Sequence, residues 1–288
     1  MENRKAVIVG ISGASSSGKT TLARLLRDVF PNTFVLHEDD FYKPEAKYAC
    51  INIPNYFISD RLPIRDGLVD WDCPEALCIP DMIRALSHIR KNGTFPPFVD
   101  SKEDQNSIGA CPVSDAKIAA MRAKVQAWLA PGQPGHAIFS PPPPPSSSPP
   151  PPRVCLLDGF LLYTKPEMAE VMRLLDVRLF LLVSRARATA RREARDGYVT
   201  LEGFWKDPPG YVDKIVWPNY VAAHAWLFEG GDVEKGRLDE GALRESGILA
   251  AARAAGDGNV DVDMETTFEW AVERLMEQLE RIYGAGKR

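Results

Sequence analysis

The feature that most constrains this 288-residue chain is a glycine-rich segment near its start. Gly13, four residues, Gly18, Lys19 and Thr20 form the complete pattern of a phosphate-binding loop. An apolar run over 5–11 precedes the pattern, and apolar residues at helical spacing follow it, so it is predicted to join a buried strand to a helix. Such a loop points backbone N–H groups at phosphate oxygens, beside the positive end of the helix dipole. The segment therefore predicts an α/β fold that binds a nucleoside triphosphate.

The side chains of this loop have separate predicted roles. Lys19 places a compact positive charge on the β- and γ-phosphates, and the Thr20 hydroxyl is positioned to bind Mg²⁺. Gly13 and Gly18 permit backbone angles that a side chain would forbid. The residues predicted to contact the nucleotide are Gly13, Ala14, Ser15, Ser16, Ser17, Gly18, Lys19, Thr20 and Thr21.

Composition argues against several classes of protein. The chain has 35 basic and 39 acidic residues, and this net charge of −4 implies no general affinity for nucleic acid. No apolar stretch approaches the ~20 residues that span a bilayer, and the start does not resemble a secretory signal. Scattered cysteines without a CxxC pair favour free thiols in a reducing compartment, not a zinc site. These cysteines are Cys50, Cys73, Cys78, Cys111 and Cys155. We therefore expect a cytoplasmic protein that does not enter membranes.

The order of predicted strands and helices indicates a parallel sheet. Strands are predicted over 5–11, 33–37, 153–158 and 177–183, and helices over about 19–29, 74–90, 114–129 and 264–283. Strands that alternate with helices form parallel sheets with right-handed crossovers. We predict one P-loop NTPase domain over 1–288, with three α/β/α layers and a helical lid that carries arginines.

Two stretches do not fit this alternation. Residues 131–152 are rich in Pro, Gly and Ser, and nine of the chain's 24 prolines lie within 141–152. Such a run cannot join a helix or a central strand, so the stretch is interpreted as an insertion inside the domain. A docking site for a proline-binding module at 141–152 is the alternative. Residues 229–262, rich in Gly, Asp and Ala, receive no assigned structure.

Acidic residues follow predicted strands at the edge of the sheet where the phosphate-binding loop lies. Ligands of open α/β sheets bind at the carboxyl ends of the strands. Asp39 is the candidate proton acceptor for an attacking hydroxyl and a candidate Mg²⁺ ligand, and Asp158 is a Walker-B-like acid that acts on the metal through water. Alternatively, either carboxylate caps a turn or a helix.

An arginine-rich segment over 184–195 predicts the lid. Arg187, Arg191 and Arg195 are spaced by four and would share one helix face, with Arg192 on a neighbouring face. A row of guanidinium groups suits a lid that closes over a triphosphate. A solvated basic face is the alternative.

Other polar and aromatic residues give weaker signals. Trp71 and Asp72 come just before a predicted helix that begins at Pro74, so Asp72 either caps that helix or reaches the hydroxyls of a ribose. The aromatic stretch 211–226 is interpreted as core. The histidines have neither metal-site nor catalytic-triad spacing; they are His37, His88, His136 and His224.

Together these segments resemble the nicotinamide riboside kinases, a family within the uridine-kinase-like P-loop kinases. The resemblance covers most of 5–226, and the Asp-Asp-Phe-Tyr-Lys-Pro and Pro-Gly-Tyr…Val-Trp-Pro segments are more specific than the phosphate-binding loop. The similar segments, in order, are 10–23, 38–44, 71–77, 158–163, 191–195 and 209–220.

This resemblance implies transfer of the ATP γ-phosphate to the 5′-hydroxyl of nicotinamide riboside, and also of nicotinic acid riboside, for NAD synthesis. It implies a Mg²⁺ site at Thr20 and Asp39, and ATP contacts from Arg191 and Arg195. The catalytic residues are then Lys19, Asp39 and Asp158. The implied nucleoside-binding residues are Asp39, Asp40, Phe41, Tyr42, Trp71, Asp72 and Arg192. A monomer is expected, with the nucleoside and ATP as its small-molecule partners.

Two other functions compete with this one. A uridine or cytidine kinase has the same chemistry, but the aromatic set of Phe41, Tyr42 and Trp71 favours a pyridine ring. A non-catalytic P-loop protein that recruits partners through its proline run is the second alternative. Such a binding protein has no need for Asp39 together with an arginine lid.

Overall fold

Strands from both halves of the chain pair in one parallel sheet. The computed structural model describes residues 4–43, 62–101, 109–140, 150–195, 197–200, 203–251 and 260–284. The strands are β1 (Ala6–Gly13), β2 (Thr33–His37), β3 (Ile64–Arg65), β4 (Leu68–Val69), β5 (Arg153–Asp158), β6 (Val177–Leu181), β7 (Tyr198–Thr200), β8 (Gly203–Trp205) and β9 (Ile248–Ala250). Five of them pair in parallel in the order β2-β5-β1-β6-β9, while β3-β4 and β7-β8 are antiparallel hairpins. The carboxyl ends of the five parallel strands therefore meet at one edge.

Helices cover both faces of this sheet. They are α1 (Lys19–Val29), α2 (Ile79–Asn92), α3 (Asp115–Trp128), α4 (Pro134–Phe139), α5 (Ala169–Leu174), α6 (Arg185–Glu193), α7 (Trp217–His224), α8 (Glu240–Ser246) and α9 (Met264–Gly284). Alternate residues of β1 enter opposite cores: Ile8 packs with α2, α5 and α7, and Val9 packs with α1, α3, α4 and α9. The predicted α/β class with three layers is confirmed.

The phosphate-binding loop lies where the sequence predicts it, between β1 and α1. Helix α1 begins directly after Gly18, which has φ 98°. The predicted helix over 74–90 is wrong at its start. Pro74–Ala76 is a 3₁₀ turn, and α2 begins only at Ile79. The cause is a short bridge to the strand-like segment at Tyr42, in which the N–H of Cys78 donates to the carbonyl of Phe41 at 2.8 Å.

The two stretches without a predicted place contain regular structure. Within 229–262, α8 and β9 are present, and β9 forms the edge of the main sheet beside β6. Within 131–152, α4 packs on the core, where Phe139 lies 6.0 Å from Trp128 between ring centroids. The sequence analysis did not predict this helix, and the insertion itself stays a prediction. The proline run at 141–149 lies outside the described residues.

The expectation of free thiols is partly wrong. Cys73, Cys111 and Cys155 are free, but Cys78 is disulfide-bonded. Residues far apart in sequence can meet in space, so scattered spacing could not exclude such a bond. Cys50 lies outside the described residues. Within the described ranges, no helix has the length and apolar character needed to cross a membrane.

Candidate active site

Both motif glycines have positive φ angles, which side chains rarely adopt. Gly13 has φ 147°, and a Cβ there would lie 2.3 Å from the carbonyl oxygen of Leu181. Gly18 is also left-handed, and a Cβ there would lie 2.2 Å from the terminal methyl of Met264. Both positions therefore accept only glycine without local rearrangement.

Lys19 curls back over this loop. Its Nζ donates to the carbonyl oxygens of Gly13 at 3.0 Å and Ala14 at 2.8 Å. Burial lowers the pKa of Lys19 to about 8, against the opposing charges of Asp158 and Asp39. The ammonium group is thus held at the loop with few water contacts, where it can meet a phosphate.

Asp158 joins the loop to the neighbouring strand. It accepts hydrogen bonds from the Thr20 hydroxyl at 2.5 Å and lies 2.5 Å from Nδ1 of His37. Burial alone would raise the pKa of Asp158, but His37, Thr20 and Lys19 outweigh that effect and hold it below its ordinary value. Asp158 is therefore an ionised acid beside the Thr20 hydroxyl.

His37 is a site residue that the sequence analysis missed. Its role depends on the strand order, because β2 pairs with β5 and the register places His37 opposite Asp158. The sequence shows that both residues end strands, but not that these two strands are neighbours. Spacing along the chain carried no signal for this contact.

Asp39 lies in a 3₁₀ turn, Glu38–Phe41, at the carboxyl end of β2. Its side chain is exposed to solvent in the open cleft. Protein atoms around the carboxylate raise the pKa of Asp39 to about 6, and the charge of Asp158 acts in the same direction. A carboxylate with such a pKa is ionised at neutral pH and basic enough to accept a proton.

The neighbours of Asp39 hold the turn in place. Asp40 accepts the backbone N–H of His37 at 3.2 Å, and its carboxylate is also hydrogen-bonded by Ser101. Phe41 is buried in the hydrophobic core. The structure thus places the side chain of Asp40 in a supporting contact and that of Phe41 in the core, and their roles in substrate binding stay predictions.

Glu38 is a second buried acid that the sequence analysis missed. It is 1% exposed and accepts the backbone N–H groups of Phe160 at 2.6 Å and Leu161 at 3.1 Å. Burial raises the pKa of Glu38 to about 8. A Cβ on Gly159 would lie 2.6 Å from the Glu38 side chain, so the turn after β5 fits closely around this carboxyl group.

Four aromatic rings form one group beside the cleft, which we name the aromatic cluster: Tyr42, Trp71, Trp205 and Tyr211. Trp71 is at its centre, 6.4 Å from Tyr42 and 6.4 Å from Trp205 between ring centroids, both edge to face. The Tyr211 hydroxyl accepts the backbone N–H of Trp71 at 3.0 Å. Trp205 comes from the hairpin β7-β8, which the sequence analysis did not predict.

Arg192 connects this cluster to the phosphate-binding loop. Its guanidinium donates to Asp72 at 2.7 and 3.2 Å, to Asp207 at 2.6 and 3.1 Å, and to the Ser15 hydroxyl at 3.0 Å. The side chains of Arg192 and Asp72 are only 9% and 4% exposed. Asp72 makes no cap to the following helical turns, so the capping alternative is wrong.

The lid helix, α6, begins at a cap and ends near the loop. The Ser184 hydroxyl accepts the backbone N–H of Arg187 at 3.3 Å and donates to Asp261 at 2.7 Å. Arg191 donates to the carbonyl of Ser16 at 3.2 Å, whereas Arg187 and Arg195 are exposed. With Arg192, two arginines of the lid helix therefore contact the phosphate-binding loop.

A further buried acid fixes the segment that carries Trp71 and Asp72. Asp70 is fully buried and accepts two hydrogen bonds from the Asn219 amide at 2.8 and 2.9 Å, and one from Arg65 at 2.7 Å. It also accepts the backbone N–H of Asp72 at 3.0 Å. The segment that carries Trp71 and Asp72 is thus held by a buried polar network.

The oxygen groups near the loop suit a magnesium ion. No group of three or more His, Cys, Asp or Glu side chains able to hold a metal occurs in the described ranges. Mg²⁺ needs few protein ligands, because it keeps waters and binds phosphates through one or two carboxylates. The Thr20 hydroxyl, beside the ionised Asp158, fits that pattern together with Asp39.

A phosphate-binding loop, acids at the strand ends and an arginine-bearing lid define a P-loop kinase. The chain is 35% identical to a nicotinamide riboside kinase of Schizosaccharomyces pombe, over 82% of this chain and 87% of that protein. It is 33% identical to one of Eremothecium gossypii, over 80% of this chain and 81% of that protein. This chain belongs to the nicotinamide riboside kinase family, and the resemblance found in the sequence is confirmed.

Two further comparisons add little. A solved kinase structure, described as part of a fructose transport system of Silicibacter sp. TM1040, is 18% identical with a TM-score of 0.36. It covers 66% of this chain and 71% of that chain, and so weak a likeness bears on neither fold nor function. No protein-family model matches the chain.

Proposed function

We propose that this kinase transfers the γ-phosphate of ATP to the 5′-hydroxyl of nicotinamide riboside, and also of nicotinic acid riboside. One observation carries the proposal: Arg192 joins Ser15 of the phosphate-binding loop to Asp72, the residue that follows Trp71 in the chain. A ribose held at Asp72 therefore lies between an aromatic surface for the base and the phosphates of ATP. Family membership supports the same acceptor.

In this reaction the residues of the cleft have separate tasks. Asp39, exposed in the cleft, accepts the proton of the 5′-hydroxyl. Lys19, with the backbone N–H groups of 13–21, holds the phosphates, and Arg191 and Arg195 cover them from the lid. Bound Mg²⁺, held by Thr20 and Asp39, would neutralise phosphate charge, while Asp158 holds the Thr20 hydroxyl in place.

The aromatic cluster is proposed to select the base. A pyridinium ring is flat and positively charged, and it is attracted to the faces of Trp and Tyr rings. Pyrimidine nucleosides are neutral and lack that attraction, which separates this function from a uridine or cytidine kinase. Tyr42 and Trp71 also lie close to the turn that carries Asp39, so a base held there keeps the ribose near the proton acceptor.

The first experiment is ATP consumption with Mg²⁺ and a panel of acceptors: nicotinamide riboside, nicotinic acid riboside, uridine, cytidine and pantothenate. Turnover confined to the two pyridine ribosides is expected. Preference for uridine or cytidine would keep the mechanism and overturn the substrate. Binding of ATP without turnover on any acceptor would instead favour a binding protein that recruits partners.

The organisation of the whole chain is also part of the proposal. We propose a monomer with one kinase domain over 1–288, as the sequence analysis expects. The proline-binding role of 141–152 and the cytoplasmic location stay predictions. Sedimentation of the purified chain at micromolar concentration tests the monomer, and a dimer would contradict it.

A further inference from the structure

A cavity of about 650 Å³ lies apart from the nucleotide cleft, beyond the end of β6. Its walls are the lid helix, α7, the turn before α7 and the segment 228–236. The lid helix contributes Arg185, Ala186, Thr189, Ala190 and Glu193. Successive helix residues are about 100° apart, so these five lie on one side and Arg187 and Arg191 lie on the opposite side. The cavity therefore borders the face of the lid helix opposite Arg187 and Arg191.

One polar group of this cavity lacks a partner. Tyr220 is 3% exposed and lines the cavity, yet no hydrogen bond links its hydroxyl to any residue that the structure describes. The polar groups of buried side chains are nearly always hydrogen-bonded, so this hydroxyl needs an explanation. It can accept a hydrogen bond from a ligand.

The charges at the cavity favour a cation. Glu193, Asp213 and Glu234 line it, against a single Arg185. Arg185 is already bound to Asp213 at 2.9 Å, and Glu234 accepts the indole N–H of Trp217 at 2.7 Å. The net charge of these four side chains is −2, from one positive and three negative groups. A phosphate would be repelled here, and a positively charged ligand attracted.

The aromatic lining favours a flat ligand. The rings of Trp217 and Tyr220 lie 5.0 Å apart between centroids with an interplanar angle of 44°. Apolar side chains such as Leu182 and Phe228 complete the walls. The volume falls within the range of cavities that bind small molecules, which typically combine apolar walls with a few polar groups.

We propose that this cavity is a second ligand site, which takes a flat aromatic cation that carries N–H donors and no phosphate. The ring would lie against Trp217 and Tyr220, and an N–H donor would reach the Tyr220 hydroxyl. The site is separate from the nucleoside site, because none of its lining residues belongs to the aromatic cluster.

Three molecules of one shape and different charge test the proposal: benzamidine, benzamide and benzoate. They are titrated into the full chain, and binding is followed through the ligand signals by nuclear magnetic resonance. Benzamidine has nine heavy atoms, so a Kd on the order of 1 mM is expected for it. Benzamide should bind more weakly and benzoate should not bind. Equal binding of benzoate and benzamidine, or no binding of benzamidine at 10-fold that concentration (about 10 mM), would overturn the proposal.

Variants locate the bound benzamidine. Tyr220→Phe removes the hydroxyl and should weaken binding about fivefold, the ordinary effect of one hydrogen bond. Tyr283→Phe is the matched control, because the Tyr283 hydroxyl is also buried without a partner among described residues but lies on α9. Ala190→Trp should fill the cavity and abolish binding. Loss of binding in Trp71→Ala, with Tyr220→Phe unchanged, would place the ligand in the nucleoside site and overturn the proposal.

Discussion

Removal of Arg192 tests the ion-pair network of Arg192, Asp72 and Asp207, which joins the lid helix to the phosphate-binding loop at Ser15. Arg192, Asp72 and Asp207 have side chains 9%, 4% and 16% exposed, and the guanidinium is the positive group that the structure shows between these two carboxylates. Arg192→Met leaves the two carboxylates buried and facing each other. Breaking a buried ion pair in this way costs about 3–5 kcal/mol of the free energy of unfolding. A chain of this size loses about 2 °C of Tm per kcal/mol, so a decrease of about 6–10 °C is expected.

Two further variants, at Asp207 and Arg187, should lose less stability than Arg192→Met. Asp207→Asn leaves Arg192 paired with Asp72 and weakens the two charged hydrogen bonds that Arg192 donates to position 207, at a cost of about 1.5–3 kcal/mol. Arg187→Met is the matched control, because this arginine lies exposed on the same helix and should change stability by less than about 0.5 kcal/mol. Urea unfolding without nucleotide measures all three variants. Equal losses for the variants at 192 and 187 would refute the reasoning.

The remaining predictions concern activity and pH. Asp39→Asn should lower kcat about 10²–10⁴-fold with ATP binding retained. Wild-type kcat/KM should rise with pH through about 6, as Asp39 loses its proton, and a flat pH profile would contradict this. Trp205→Ala should raise the KM for nicotinamide riboside about tenfold and leave the KM for ATP unchanged, and equal changes in both would argue against a base site. Replacement of the five prolines at 141–145 by serine should leave kcat within about twofold of wild type. The run precedes the first residue of β5, whereas Asp158 is the last residue of that strand, so the length of the strand separates the start of β5 from the site. Glu38 has a pKa of 4.5 in the unfolded chain and about 8 in the folded chain, so the unfolding free energy of the wild type should fall as the pH rises from 4.5 to 8, by at most about 1.4 kcal/mol per pH unit. Glu38→Gln removes this titration and should therefore stabilise the chain relative to wild type above pH 4.5. Parallel pH curves of unfolding free energy for the two proteins would contradict this.

Local sequence signals predicted the parts of the fold that depend on neighbours in the chain. The glycine loop, α1 and the apolar strands are each set by a short segment, so their type and place were confirmed. β9 was missed because Ile248–Ala250 is short and continues into alanines, and its strand conformation depends on pairing with β6. The start of α2 was misplaced for a similar reason, since pairing with the segment at Tyr42 prevents a helix at 77–78.

The site shows the same division. Asp39, Lys19, Thr20 and Asp158 could be proposed from the sequence, because each follows a strand or belongs to the loop. Trp205 and Asp207 could not, since their value lies in contacts with Trp71 and Arg192, more than ten residues away in sequence. Strand order alone brought His37 to Asp158, and no spacing rule predicts strand order.

The segment 37–40 explains why one acid among several is suited to catalysis. Three of its four side chains are used to hold the fold: His37 bonds to Asp158, Glu38 accepts the N–H groups after β5, and Asp40 accepts the N–H of His37. Only Asp39 of this segment is exposed, and its carboxylate makes no hydrogen bond within the described residues. The rigid neighbours fix the position of the Asp39 carboxylate without occupying its oxygens. A proton acceptor needs both properties, because it must be correctly placed before the substrate arrives and free to bind it afterwards.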